Sequence, residues 1–186
     1  MAASASRPHA QIARPRPQRV RRLRISRAPS PATTRFTLTV VGSLAHDLVG
    51  TWRLLSRVDR NASGEAVDEP SLGSDPVALL FFDGFGNFAA QFMKRDRSVA
   101  VAAAEFTGQN NTTAIGGYDA YFGTYEVDET SGDVQTHLVA ALSPSHVGAT
   151  MIRTMKVEEG KLIIRLTTTT PDDIRVNRTL TWERAG

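Results

Sequence analysis

The stretch TMIRTMKVEEGKLIIRLTTT, residues 150–169, decides the fold prediction. Met151, Met155 and Val157 fall on alternate positions of its first half, and Glu158-Glu-Gly160 separates that half from the second. A period of two is typical of strands with one buried face, and a short break containing Gly between two such runs indicates a hairpin. The stretch therefore predicts two antiparallel strands, at residues 150–157 and 162–169.

The same period extends over most of the chain after Gly50, with turn sequences such as Asp83-Gly-Phe-Gly86 between the runs. The predicted strands lie at residues 50–60, 77–82, 87–93, 118–128, 134–142, 150–157, 162–169 and 174–183. Short, evenly spaced strands indicate an all-β fold, and about eight of them can close an antiparallel β-barrel around one small ligand. The Ala- and Val-rich stretch Asp96–Phe106 does not alternate and predicts a short helix over the barrel mouth.

The first 46 residues have a different composition and are predicted to form a disordered basic arm or a targeting segment. They hold nine Arg, no Lys and no acidic residue, together with five of the nine Pro residues of the chain. Such a stretch buries too little apolar surface to offset the entropy lost on ordering. The sequence thus divides into an arm, residues 1–46, and one barrel domain, residues 47–186.

Three interpretations of the arm stay open, namely a secretory or twin-arginine signal, a transit peptide, and a solvated tail or over-extended start. The apolar run Phe36–Ala45 is short and contains polar residues, and Arg21-Arg22 lies far upstream of it. No sorting signal is well formed, so a cytoplasmic location is favoured. The chain has no apolar run of transmembrane length.

Charge and composition restrict the partners of the barrel. The chain has 22 basic and 19 acidic residues, and removing the nine Arg of the arm leaves the barrel domain with a net charge of about −6. An acidic domain is not expected to grip nucleic acid. The absence of Cys excludes thiolate chemistry and disulfides, and the four scattered His give no metal spacing. No cofactor motif is present, and a homo-oligomer is compatible with the sequence.

Several separated fragments together resemble the bacterial and fungal lipocalin-like domain family. The fragments that carry the resemblance are Leu48-Val-Gly-Thr-Trp52, Gly73-Ser-Asp-Pro76, Tyr121-Phe-Gly-Thr-Tyr125, the ordered set His137, Pro144, Gly148 and Arg153, and Leu180-Thr-Trp-Glu-Arg184. The resemblance covers almost everything after the arm. It departs from the family after Gly84, where Gly86-Asn-Phe88 replaces the usual aromatic-Met pair.

The resemblance implies a barrel with an internal cavity that binds a hydrophobic metabolite. Some related barrels act in natural-product pathways as cofactor-independent isomerases or cyclases, an analogy at the level of the fold alone. We therefore expect the barrel to bind a small, mostly apolar or oxygenated apolar molecule. The alternative is an isomerase or cyclase of a secondary-metabolic pathway that uses the same cavity, with His137 and Arg153 as its active groups.

Candidate binding residues are polar or flexible side chains that share a strand face with apolar ones, because burial of a polar group needs a compensating partner. The predicted binding residues are Arg153, His137, Tyr121, Tyr125, Met151, Met155 and Arg178. An inward Arg could bind a carboxylate, enolate or phenolate oxygen, and a His could move a proton near neutral pH. For each residue a structural role is the competing interpretation. An inward Arg, for example, often pairs with a carboxylate of the protein. No residue is assigned as catalytic.

Two further expectations concern the faces of the first strand and the positions of the two tryptophans. Strict alternation puts Trp52, Leu54, Ser56 and Val58 on one face, and Arg53, Arg57 and Asp59 on the other. Trp52 and Trp182 are predicted to fill the core near the barrel base, with Arg184 stacked on one of the rings.

Overall fold

The computed structural model describes residues 42–98, 105–106 and 114–186. The helices and strands in these ranges are α1 Leu44–Leu48, β1 Gly50–Arg60, β2 Val77–Phe82, β3 Asn87–Met93, β4 Glu105–Phe106, β5 Ala114–Ile115, β6 Tyr118–Asp128, β7 Asp133–Ala141, a 3₁₀ helix Pro144–His146, β8 Thr150–Glu158, β9 Lys161–Thr169 and β10 Arg175–Arg184. Among the residues that the structure describes, no helix is long and apolar enough to cross a membrane.

Eight of the strands form a closed antiparallel barrel. The order β3-β2-β1-β10-β9-β8-β7-β6 is completed by pairing between β3 and β6, and β5 and β4 extend the sheet beyond β6. The barrel strands match the eight predicted ones to within one residue at each end, so the fold prediction is confirmed. The prediction of a helix at residues 96–106 is wrong for its last two residues, because Glu105–Phe106 forms a strand that pairs with Ala114–Ile115. Residues 99–104 lie outside the described part of the chain.

One end of the barrel, here called the base, is closed by α1. Glu129, in the turn between β6 and β7, accepts hydrogen bonds from the backbone N–H groups of Leu44 (2.7 Å) and Ala45 (2.9 Å) and from the Ser43 hydroxyl (2.6 Å). A carboxylate at this position satisfies N–H groups that have no partner within the helix. Leu44 packs against the core, so α1 lies across the boundary expected at residues 46 and 47.

The two tryptophans lie inside the barrel, as predicted. Trp52 and Trp182 are both buried, and the indole N–H of Trp52 donates to the Leu48 carbonyl at 2.8 Å. The Arg184 guanidinium lies 4.5 Å from the centre of a Trp52 ring and donates to the Val49 carbonyl. This cation–π contact confirms the predicted stacking and ties the end of the last strand to the start of the first.

A bulge in β1 overturns the face assignment made for this strand. Leu54 pairs with Trp182 and Ser56 with Thr181, so Leu55 is an additional residue without a counterpart on β10. An additional residue moves every later side chain to the opposite face. The prediction for the second half of β1 is therefore wrong, since Arg57 and Asp59 are buried inside the barrel and Val58 is exposed.

A second bulge lies between β6 and β7. Phe122 pairs with Ala140 and Gly123 with Leu138, which leaves Val139 as the additional residue on β7. The two backbones approach so closely at Gly123 that a Cβ there would lie 1.8 Å from the His137 carbonyl oxygen. Only glycine allows this approach, and the bulge changes which residues of β7 face inward.

The opposite end of the barrel, here called the mouth, is covered by part of the loop between β1 and β2. The residues Glu69–Gly73, here called the lid, include the buried side chains of Ser71 and Leu72, and Leu72 belongs to the core. The Glu69 carboxylate accepts bonds from the backbone N–H groups of Ser71 (2.9 Å) and Leu72 (3.1 Å). The lid is thus a short turn organised around one buried carboxylate.

Candidate functional site

The interior of the barrel contains charged groups of both signs. The buried charged residues of the described part are Arg57, Arg153, Arg178, Asp59, Glu69 and Asp119. Charges are rarely buried without partners, so the arrangement of these six groups indicates which are structural. No cluster of His, Asp or Glu among the described residues could hold a metal ion.

Two of the arginines form buried ion pairs near the mouth. Arg178 binds Asp59 with two bonds, Nε to Oδ1 at 2.7 Å and Nη2 to Oδ2 at 2.5 Å. Arg57 binds the lid carboxylate of Glu69 at 2.5 Å and the Gly73 carbonyl at 3.0 Å. Removing one partner of such a pair is strongly destabilising. The Asp59–Arg178 pair therefore links the first and last strands, and the Arg57–Glu69 pair holds the lid to the barrel wall.

The third arginine, Arg153 on β8, lies deeper in the barrel. Its side chain is 4% exposed and donates to the Thr136 hydroxyl at 3.0 Å and to the Met151 sulfur at 3.1 Å. Burial lowers the pKa of Arg153, while the nearby Tyr121 and Asp119 favour its charged form. A guanidinium remains protonated in proteins. Arg153 is therefore a permanent donor inside the barrel.

Asp119 on β6 is a buried carboxyl group whose pKa is strongly raised. The residue is 1% exposed, and its Oδ2 atom has no hydrogen-bond partner in the described part of the chain. Burial raises the pKa of Asp119 to about 7, against the opposing effects of the Ala120 backbone N–H and of Arg153 and Arg57. Such a group gains or loses its proton near neutral pH, and groups of this kind cluster at functional sites.

A small void lies in the middle of the barrel, next to Arg153. Its volume is about 20 Å³, enough for about one water molecule. The void is lined by apolar and aromatic side chains, with Arg153 and Thr136 as polar groups. Tyr121 and Met155 also line it, so three of the predicted binding residues meet there, and Met151 contacts Arg153 from the same strand.

The remaining predicted residues lie elsewhere. Tyr125 faces inward nearer the base, where its hydroxyl donates to the Asp83 carbonyl at 2.8 Å. Arg178 is buried, but it is paired with Asp59. The prediction that His137 faces the interior is wrong. His137 is exposed on the outer surface, 3.4 Å from the Thr150 hydroxyl, because the bulge at Val139 separates its face from that of Ala141.

The sequence interpretation missed Asp119 and Thr136. Asp119 precedes Tyr121 by two residues, and Thr136 lies midway between the buried Val134 and Leu138. The same period of two that identified Tyr121 could therefore have found both residues. Glu69 lies in a loop without periodicity, and no sequence signal connected it to Arg57.

A second, much larger concavity lies on the outer face of the barrel. This outer cleft has a volume of about 760 Å³ and is bordered by Val49, Phe81, Phe122 and Val139. Its one charged residue is Asp83, whose carboxylate accepts bonds from the backbone N–H groups of the following turn. The outer cleft therefore offers mainly apolar contact, and its one carboxylate is already bonded within the turn.

The closed barrel places this protein among the β-barrels whose interior holds side chains or one small ligand. The family model of the lipocalin-like domain matches residues 49–185, so the chain belongs to the lipocalin-like domain family. The resemblance noted in the sequence is thereby confirmed. A search of curated proteins found no match. Fold and family together point to ligand binding as the general activity.

Proposed function

We propose that the barrel binds one small, mostly apolar metabolite in its interior, with Arg153 holding an oxygen atom of that molecule. The observation that carries the proposal is the position of Arg153. A charged donor stands beside the central void, within a largely apolar wall, rather than at the surface. A cavity that is mainly apolar with a few fixed polar groups is the usual composition of a ligand site.

The wall supplies adaptable apolar contact. Phe88 and Phe92 lie on either side of Tyr121, with ring centres 6.1 and 6.4 Å from the Tyr121 ring, and Met155 completes the wall from β8. Aromatic rings offer large apolar surfaces, and methionine side chains adjust to irregular shapes. This combination favours an apolar molecule with a polar group at one end.

The described conformation is a closed state of the proposed site. Ligand sites commonly have volumes of roughly 300–1,000 Å³, whereas the interior void measures about 20 Å³. A ligand must therefore displace side chains from the interior. The lid supplies Leu72 to the core and is joined to the wall by the Arg57–Glu69 pair, which makes it the segment that has to move for access through the mouth.

The proposal is tested by replacing Arg153 with Met and titrating the full-length protein with anilinonaphthalene sulfonate, an apolar dye that carries one anionic group. Loss of a hydrogen bond to a charged group should weaken binding by about 1.5–3 kcal/mol, roughly tenfold to a hundredfold. Arg165→Met is the matched control, because Arg165 is exposed on the neighbouring strand β9. Arg153→Lys keeps the charge and should retain part of the affinity.

A melting curve recorded on each variant separates the binding role from a structural one. A structural role for Arg153 predicts a lower melting temperature with dye affinity equal to that of Arg165→Met. That result would contradict the proposal, and so would wild-type protein that fails to bind the dye.

Asp119 favours a second candidate function, a cofactor-independent isomerase or cyclase. A carboxyl group with a pKa of about 7, close to Arg153 and Tyr121, is suited to proton transfer at neutral pH. Its carboxylate would remove a proton from the carbon beside a ketone. The C–H electron pair would form the C=C bond of an enolate whose oxygen Arg153 holds, and the proton would return at another position. His137, expected in this role from the sequence, lies outside the barrel.

The second candidate is tested by incubating β-tetralone, an apolar ketone, with the protein in deuterium oxide. An acid–base site should incorporate deuterium beside the carbonyl faster than solvent does, and Asp119→Asn should abolish the increase while His137→Asn preserves it. Equal rates of deuterium incorporation with and without the wild-type protein would contradict the second candidate function and leave ligand binding alone.

A further inference from the structure

We infer that Asp119 sets the ligand class of the barrel, by selecting molecules with a hydroxyl group next to the oxygen that Arg153 holds. This inference rests on the proposed binding function and adds a second polar contact to it. The corresponding chemical groups are hydroxycarbonyls, enols of diketones and phenols with a neighbouring carbonyl. In each of them one oxygen accepts a hydrogen bond while the other donates one.

The first support is the position of Asp119 in the barrel. Asp119 pairs with Phe92 across β3 and precedes Tyr121 by two residues on β6, so its side chain shares the inner face with the aromatic wall. Arg153 on β8 and Arg57 on β1 both act electrostatically on its carboxyl group. Asp119 is therefore within electrostatic range of both the arginine that holds the lid and the arginine beside the void.

The second support is the unused acceptor of this carboxyl group. The Ala120 backbone N–H interacts with the group, whereas Oδ2 is buried and has no hydrogen-bond partner among the described residues. Leaving a buried acceptor unsatisfied costs about as much as a lost hydrogen bond or more. A ligand hydroxyl that donates to Oδ2 would remove this cost, whereas an ether or an alkyl group at the same place would leave it.

Charge complementarity narrows the ligand class further. Arg153 can only donate, so it requires an acceptor such as a carbonyl or enolate oxygen. Asp119 accepts when ionised and can also donate when protonated. The charged groups that act on its carboxyl group are Arg153 and Arg57, and both are cationic. A ligand with adjacent acceptor and donor atoms satisfies both residues, whereas a simple hydrocarbon satisfies neither.

The inference is tested with two matched probes, 2-hydroxy-1-tetralone and 2-methoxy-1-tetralone, which share the apolar rings and the carbonyl acceptor and differ only in the neighbouring hydroxyl. We compare the ratio of their affinities in the wild-type protein with the ratio in Asp119→Leu and Asp119→Asn, because a ratio cancels the effects common to both probes. A hydrogen bond to a charged group predicts a ratio at least tenfold larger in the wild type than in Asp119→Leu. Asp119→Asn retains an uncharged acceptor and should lose only part of the preference.

A pH series on the wild type supplies a second readout. The preference for the hydroxyl-bearing probe should increase as the pH rises through about 7 and the carboxyl group ionises, and it should stay constant with pH in Asp119→Asn. If both probes bind and the ratio is the same in all three proteins, Asp119 only balances the charge of the arginines and the inference is overturned while the binding function stands. If neither probe binds to the wild type, the proposed function fails together with the inference.

Discussion

The substitution Glu69→Gln tests whether one ion pair holds the lid over the mouth. The Glu69 carboxylate bonds to Arg57 at 2.5 Å, to the backbone N–H groups of Ser71 and Leu72, and to the Ser71 hydroxyl. Breaking a buried ion pair by removing one partner costs about 3–5 kcal/mol. Glutamine keeps one acceptor oxygen but loses the charge, so we expect the lower end of this range, about 3 kcal/mol.

Urea unfolding measures this loss, and Glu65→Gln is the matched control. Glu65 lies in the same loop but is exposed, where its carboxylate bonds to the side chains of Asn61 and Ser63. An exposed substitution should change the stability by no more than about 0.5 kcal/mol. In a melting experiment the loss at Glu69 corresponds to a decrease of about 6–12 °C for a chain of this size.

The same variant tests access to the interior. Once the Arg57–Glu69 pair is weakened, the open state of the lid becomes more populated and anilinonaphthalene sulfonate should associate faster than with the wild type or with Glu65→Gln. Glu69→Gln protein that matches the control in both stability and association rate would refute the reasoning, because the lid would then be held by other contacts.

Three further substitutions test the packing and the electrostatics. Gly123→Ala places a Cβ 1.8 Å from the His137 carbonyl oxygen and should cost about 3 kcal/mol or more in the free energy of unfolding by urea. Gly84→Ala, with open space at its Cβ, is the control and should cost far less. Equal losses for the two variants would mean that the backbone at the bulge shifts to accommodate a side chain. Trp52→Ala should cost about 3–5 kcal/mol, and a loss below about 1 kcal/mol would contradict the burial of its ring. The pKa of Asp119 is raised from 3.8 to about 7, so folding favours its protonated form, and the wild type should lose about 3 kcal/mol relative to Asp119→Asn as the pH rises from 4 to 7. Parallel stability curves for these two proteins would exclude the raised pKa.

The fold could be predicted from the sequence because the barrel strands alternate and are separated by recognisable turns. The hairpin at residues 150–169 and the apolar runs at 77–82 and 87–93 occur where they were expected. The same alternation placed Arg153, Tyr121 and Met155 on the inner face, where they line the central void. Their role in ligand binding stays a prediction.

The two wrong face assignments, in β1 and β7, have a common physical cause. One additional residue in each of two strands, Leu55 in β1 and Val139 in β7, interrupts the period of two and exchanges the faces beyond it. Counting with a fixed period therefore turned Arg57 outward and His137 inward. A bulge depends on how two strands pair, so the pattern of one strand does not reveal it.

The closed mouth could not be predicted for a different reason. The Arg57–Glu69 pair joins a strand to a loop that has no regular pattern, and the size of the void depends on how the lid side chains pack. The sequence indicated an interior site but did not indicate that the site is closed in the described conformation.

Binding inside the barrel is tested most directly by contact quenching of Trp182, which lines the central void. Trp52→Phe leaves Trp182 as the single tryptophan of the chain. A brominated medium-chain fatty acid should then quench its fluorescence saturably, while the unbrominated acid should compete for the site without quenching. Saturable quenching at the concentrations at which the acid binds is the predicted result. Binding of the brominated acid with Trp182 fluorescence unchanged would place the ligand outside the barrel, for example in the outer cleft, and would contradict the account.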